Sequence, residues 1–290
     1  MTLGGSLGAA RRGSLRDVRL SHVIAALEEL YPPSWAESWD AVGLVVGDPD
    51  QEVGRVLLAV DPVAAVIDEA LEWGADLVVT HHPLLLRGVH SVAATTPKGR
   101  LIHRMIAGGV ALHTAHTNAD VADPGVSDAL ARAVGLTGEL RPIVPSADDP
   151  RRGLGRIGEL DGPVTLREFT RRAAAGLPST AWGLRAAGDP DREVRTVAVC
   201  GGAGDSLLDT VRAAGVDAYL TADLRHHPAS EFAEHGGPAL VDAAHWATEQ
   251  PWLADAARRL TAAAPEAGKL ETRVSTIVTD AWSLHEEGEQ

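Results

Sequence analysis

"DLVVTHHPLLLRG", residues 76–88, closes an apolar run with two adjacent histidines and a proline. Leu77, Val78 and Val79 form a continuous β-prone stretch, which predicts a buried strand over Asp76–Thr80. Pro83 has no N–H to give to a ladder, so the strand must stop before it. His81 and His82 are thereby delivered to the rim of a sheet, where open α/β sheets bind their ligands.

Outward from this strand the chain alternates strands and helices. Val56–Val60 is predicted as a strand. A helix follows with Pro62 in its first turn and runs to about Trp73, where Gly74 stops it. Upstream, Val18–Leu30 has Val23, Ala26, Leu27 and Leu30 at helical spacing. "YPPSWAESWDAVGLVVGDP" reads as a loop and a short strand. Downstream come a helix over Lys98–Ala107 with a Gly-Gly stop, a strand over Val110–Ala115 running into "HTNAD", and a helix over Ser127–Val134. Residues 141–155, "RPIVPSADDPRRGLG", carry three prolines and mixed charges and read as a linker. Beyond it lie the strand "RIGEL" and a helix over Thr165–Ala175, with Thr165 as N-cap and Glu168 at capping-box distance. Two more strands, "CGGAGDS", a helix from about Asp205 to Ala214 and the strand "DAYLT" complete the pattern. The expected fold is α/β, with a first domain over 17–140 and a second half over 156–282. Residues 1–16 read as a disordered lead-in from their Gly, Ser and Arg content, and 283–290 as a frayed tail.

A weak internal repeat is visible. "VLLAV–helix–WGADLVVTHH" is echoed by "VAVC–helix–AGVDAYLTAD", and "ALHTAHTNAD" by "LVDAAHWATE". His116 and Asp120 then match His245 and Glu249 in spacing. Duplication explains this, and so do two generic strand–helix–strand units that are alike only in composition.

Composition narrows the function. With 26 basic and 40 acidic residues the net charge is −14, which argues against a nucleic-acid footprint. The N-terminal stretch has no apolar run of the secretory kind, and no segment reaches transmembrane length. Cys200 is the single cysteine, so no intrachain disulfide can form and no thiolate cluster can bind zinc, which fits a cytoplasmic protein.

Five side chains follow predicted strands and can reach one rim: His81, His82, Asp120, His245 and Glu249. Imidazole with carboxylate suits zinc, iron or manganese, whereas magnesium and calcium prefer oxygen. Five ligands exceed the three of a catalytic zinc site and suit two ions sharing one carboxylate. Each motif alone has a plainer reading. His-His-Pro is a surface turn, His-x-x-x-Glu a helix surface pair, and Asp120 a cap. Their joint placement favours metal. Pro251 is expected in a first helical turn, putting His245 just before the helix and Glu249 near its start. His116 reads as a proton carrier or a partner of a ligand, or equally as a core histidine. Asp40 either touches the site or caps a turn. His226 and His227 read as a solvated loop. The Gly201–Gly202 run is a weak phosphate signal and more simply a tight turn.

"WDAVGL", "DLVVTHHPLL", "HTAHTNAD", "GVSDALA", "RIGEL", "VAVCGGAG", "DAYLTAD" and "DAAHWATE", in this order, resemble the GTP cyclohydrolase I type 2 homologues, also called Nif-three-like dinuclear metal-centre proteins. The resemblance implies two related α/β domains of mixed sheets flanked by helices and a ring-shaped homohexamer with its metal sites facing inward. It also implies two divalent cations held by His81, His82, Asp120, His245 and Glu249. Ala41 stands where Asn is common in that family, and Ala222 and Ala244 where Gly is common. The length leaves no room for the domain that some members insert between the halves. The expected activity is metal-dependent hydrolysis of a nucleotide or phosphorylated small molecule through an activated water, with His116 moving protons. The alternative is a hexamer that stores or delivers metal, or serves a regulatory partner.

Overall fold

The computed structural model describes residues 18–263 and 270–286. The lead-in expected over 1–16 and the last four residues of the expected frayed tail lie outside the described residues; 283–286 form no regular element.

Two mixed sheets organise the chain. The first runs in the order Glu271–Val274, Arg55–Ala59, Leu77–Thr80, Ala111–Thr114, Gly43–Val46, with only the last strand antiparallel to its neighbour. The second runs Leu184–Ala187, Ala239–Ala243, Ala218–Ala222, Glu193–Ala203, Arg156–Thr165, Thr137–Arg141, with its Ala239, Ala218 and Glu193 strands parallel. Parallel strands covered on both faces read as unbroken apolar runs, and "LVV" and "VLLA" are such runs. Side chains of alternate residues face opposite sides. Leu57 and Val78 pack with Ile67, Ala70 and Met105 of the helices Ala64–Trp73 and Pro97–Gly108. Leu58, Leu77 and Val79 face Leu20, Leu27, Trp252 and Leu260 of the helices Leu20–Leu30 and His245–Ala263. In the second sheet, Val197, Val199 and Leu220 pack on Leu130 and Phe169, while Ala198 and Tyr219 face Val211 and Phe232.

The sheets settle the question of the repeat. In each, three parallel strands consecutive in the chain are followed in space by an earlier strand lying antiparallel beside the third, Gly43–Val46 in one and Leu184–Ala187 in the other; the first sheet adds Glu271–Val274 as a fourth parallel strand. Each unit also repeats one polar lock. Asp76 Oδ2 accepts the backbone N–H groups of Gly54 and Arg55 at 2.9 and 3.0 Å, and Asp217 Oδ2 those of Arg195 and Thr196 at 3.0 and 2.8 Å. Compositional likeness would not reproduce strand order, strand direction and this aspartate together.

Several local readings shift. Val18–Arg19 pairs with Glu52–Val53, so the first helix begins at Leu20. Pro62 precedes the helix Ala64–Trp73, while Gly74 closes it at φ 72° as expected. Thr165 caps its helix by accepting the Glu168 N–H at 3.2 Å, but the Glu168 carboxylate turns to Arg171 and Arg172. Pro251 lies inside the helix that begins at His245 rather than in its first turn. The 141–155 segment holds a small hairpin of Val144–Pro145 with Gly153–Leu154. Thr137–Arg141, upstream of it, already belongs to the second sheet, and Glu271–Val274 returns to the first.

Arg156 leads out of that segment and is 1% exposed. Its guanidinium donates to the carbonyls of Gly153 and Gly155 at 2.7 Å each, to the Ala122 carbonyl, and to Asp128. It therefore ties the hairpin and the 121–125 loop to the helix Val126–Ala133. Breaking a buried pair leaves a charge without compensation. Arg156→Ala is expected to cost about 3 kcal/mol or more of folding stability, measured by urea denaturation.

Candidate metal centre

The carboxyl ends of the parallel strands converge. His81 and His82 follow Thr80, His116 follows the Ala111–Thr114 strand, and His245 follows Ala239–Ala243. Each imidazole is held by its Nδ1. His81 Nδ1 is 3.0 Å from the Ala115 carbonyl oxygen, His82 Nδ1 2.7 Å from Asp61, His116 Nδ1 2.8 Å from Asp40 and His245 Nδ1 2.7 Å from Asp223. These partners accept, so each Nδ1 carries a proton and Nε2 is the nitrogen left to ligate, once any proton on it has gone. Such anchoring is how ligating histidines are oriented.

The Nε2 atoms of His81, His82 and His245 point towards Glu249. Its Oε1 is 3.0 Å from His245 Nε2 and 3.4 Å from His81 Nε2; its Oε2 is 3.2 Å from His82 Nε2. Asp120 Oδ1 lies 3.7 Å from His81 Nε2. The donor atoms of His81, His82 and His116 fall within 4.8 Å of one another, and so do those of His82, His245 and Glu249. Glu249 is 3% exposed, yet its Oε2 makes no well-formed hydrogen bond, and neither does the buried His81 Nε2. Buried polar atoms without partners are costly. A cation among them would satisfy both, so these residues fit a metal ion.

The electrostatics fit as well. Burial disfavours charge on His82 and His245, but the Glu249 carboxylate, aided by Asp61 and Asp223, outweighs it and raises them to about 10 and about 11. Burial also opposes charge on Glu249, and the surrounding imidazoles overcome that and hold it well below the carboxylate range. Burial pushes Asp120 up to about 6. His116 is lowered, by burial first and then by the charge of His81, so it is neutral at neutral pH.

Around the centre, local structure explains the motifs. Asp40 accepts from His116, from the Thr117 N–H at 3.0 Å and from the Thr117 hydroxyl, fixing the short helix Thr117–Asp120. Asn118 accepts the His116 N–H at 2.9 Å and donates to the Tyr31 carbonyl at 2.7 Å. Asp223 adopts φ 57°, the one non-glycine in the left-handed region among the described residues, and this turn presents its carboxylate to His245. Cys200–Ala203 continues the strand rather than forming a turn, and Gly202 passes against the centre at φ 67°. A Cβ there would lie 2.6 Å from Glu249 Oε1 and 3.1 Å from His245 Nε2. The Gly-Gly run thus makes room for ligands. Gly202→Ala is expected to lower metal content tenfold or more in a folded protein, read by elemental analysis beside circular dichroism.

Comparison with known proteins shows the family. The profile of the Duf34/NIF3 family, described as NGG1p interacting factor 3, matches residues 18–281. The chain belongs to this family. A Streptomyces coelicolor relative, named GTP cyclohydrolase 1 type 2 homolog, is 62% identical over 270 residues, covering 92% of this chain and 94% of its own. A Mycobacterium tuberculosis relative of the same name is 42% identical, covering 93% and 98%. Its alignment spans 377 positions against the 290 residues here, consistent with an insertion that this Duf34/NIF3 member lacks. Among solved structures, a Staphylococcus aureus hypothetical protein superposes with TM-score 0.81 at 28% identity, covering 92% and 99%. A Bacillus cereus protein related to NIF3 reaches 0.86 at 22%, covering 93% and 100%, a likeness of fold.

The structure brings His81, His82, His116, His245, Glu249 and Asp120 together. It leaves the exposed His226 and His227 on the helix His226–Glu234, outside this cluster. Sequence reading missed Asp61 and Asp223 as imidazole anchors. Both lie within two residues of the end of a parallel strand, the signal that could have found them. No helix among the described residues is long and apolar enough to cross a membrane.

Proposed function

We propose that this protein holds two divalent cations through His81, His82, Asp120, His245 and Glu249 and hydrolyses a nucleotide or related phosphorylated small molecule. The observation that carries this reading is the set of imidazoles locked at Nδ1 with their Nε2 atoms turned on one buried carboxylate. Zinc, iron and manganese accept this donor set. When bound, paired cations lower the pKa of water from about 15.7 to roughly 7 and clamp attacking and leaving oxygens.

The residues divide the work. Glu249 presents one oxygen to His81 and His245 and the other to His82, the arrangement of a shared ligand. His116 is neutral and anchored by Asp40, so its Nε2 is free to accept a proton and pass it on. A cleft of about 320 Å³ reaches His82 and His245 and is lined by Trp182, Trp246 and Trp282. Its indoles offer apolar surface beside a ring, and Asp223 and Asp280 offer acceptors for ring N–H groups.

The test is metal content and turnover on one preparation. Reconstituted protein is expected to carry about two ions per chain and to turn over a member of a nucleotide panel only when loaded. One ion per chain at saturation overturns the dinuclear reading. Full loading without turnover on the panel overturns the hydrolase reading.

A further inference from the structure

A second, larger cavity of about 500 Å³ meets the tryptophan cleft at Asp61 and His82, which line both. Apolar groups, among them Val63 and Leu84, make up part of its lining, and the helix Pro97–Gly108 contributes Lys98, Arg100 and Arg104. Three cations on one cavity stand out in a chain of net charge −14. They are not equally engaged. Arg104 pairs with Asp68. Arg100 makes one long bond, 3.4 Å, to the Ala94 carbonyl. Lys98 has no ion pair among the described residues. Asp61, the acid at the shared edge, is engaged by His82 through Oδ1 and by Thr279 through Oδ2 and forms no ion pair with these three cations.

We propose that this cavity is the subsite for a phosphate or polyphosphate tail of the substrate, recognised by Lys98 and Arg100. The inference rests on the hydrolase reading and adds to it the side from which the anionic part of the substrate enters. Arginine offers a planar fork for phosphate oxygens and lysine a mobile point charge. Both stand exposed at the cavity, where a phosphate can reach them from solvent. A nucleotide with its ring in the tryptophan cleft and its phosphates between Lys98 and Arg100 would pass the shared edge at His82, directly beside the cation ligands. The cleft alone gives no reason to prefer a nucleotide over a nucleoside; the cationic cavity does.

The test is calorimetric titration of metal-loaded protein with pyrophosphate, comparing wild type with Lys98→Glu/Arg100→Glu. Both positions are exposed, so the fold is expected to survive, and Lys98→Ala/Arg100→Ala provides a milder pair. Charge reversal is expected to weaken pyrophosphate binding by about thirtyfold or more with metal per chain unchanged. Equal affinity in wild type and both double variants at full metal loading overturns the proposal, because the anion then rests on the cations alone. Absence of pyrophosphate binding to wild type overturns it too. The same titration on chelated protein separates the two readings: if no metal loads at all, the dinuclear reading fails, yet binding that still depends on Lys98 and Arg100 upholds the subsite.

Discussion

Replacing Glu249 by alanine is expected to lower affinity for both cations a hundredfold or more, so that protein dialysed after reconstitution retains far less than one ion per chain. The carboxylate is 3% exposed and stands within 3.4 Å of three imidazole Nε2 atoms. Removing one member of such a buried charged cluster costs about 3–5 kcal/mol. Here the loss falls on binding rather than folding. Without the carboxylate, His82 and His245 lose the largest charge favouring their protonated form while burial still opposes it, and any charge they keep stays paired with Asp61 and Asp223. Alanine also suits the helix His245–Ala263. Glu249→Gln keeps the shape and loses the charge, and is expected to fail in the same way. If either variant holds two ions per chain, Glu249 is not the shared ligand.

Much of this centre was legible because its ligands directly follow apolar runs. His-His-Pro alone reads as a surface turn, but its place at the end of an apolar run and the echo of His116–Asp120 in His245–Glu249 pointed together to one site. What escaped was whatever carries no distinctive side-chain signal. The Ala115 carbonyl that fixes His81 has no sequence signature, and a lone aspartate after a strand, such as Asp61 or Asp223, reads as a turn. Arg156 lay at the edge of a polar, proline-rich stretch, where burial is the last expectation. Gly202 read as a turn because its requirement is the approach of Glu249 from a distant helix, which local pattern does not encode. Pro251 was placed by its preference for a first turn. The helix instead starts earlier, at His245, whose ring is pinned between Asp223 and Glu249.

Metal affinity is expected to rise steeply with pH, by about four powers of ten between pH 6 and pH 8. In the metal-free protein His82 and His245 hold protons up to about 10 and about 11, because Glu249, Asp61 and Asp223 outweigh the burial that would expel them. Their Nδ1 protons stay in place, donated to Asp61 and Asp223, so the protons that must leave are those on Nε2, facing Glu249. A cation cannot bind those nitrogens until they go. Glu249 is already ionised and releases none. Two protons displaced over two pH units, at about 1.36 kcal/mol per proton per unit, amount to about 5 kcal/mol, and His81, which Glu249 and Asp120 also raise against its burial, adds to the slope at the acid end. The direction is fixed: raised pKa values mean that acid competes with metal, and alkali favours it. Below about pH 6 the slope steepens further, since Asp120, lifted to about 6 by burial, then takes up a proton as well. Zinc titrations in two buffers of different ionisation enthalpy at pH 7 would count the protons directly. Release of about two per chain bears out the linkage; release of none would mean that the imidazoles stand neutral around Glu249 before any cation arrives.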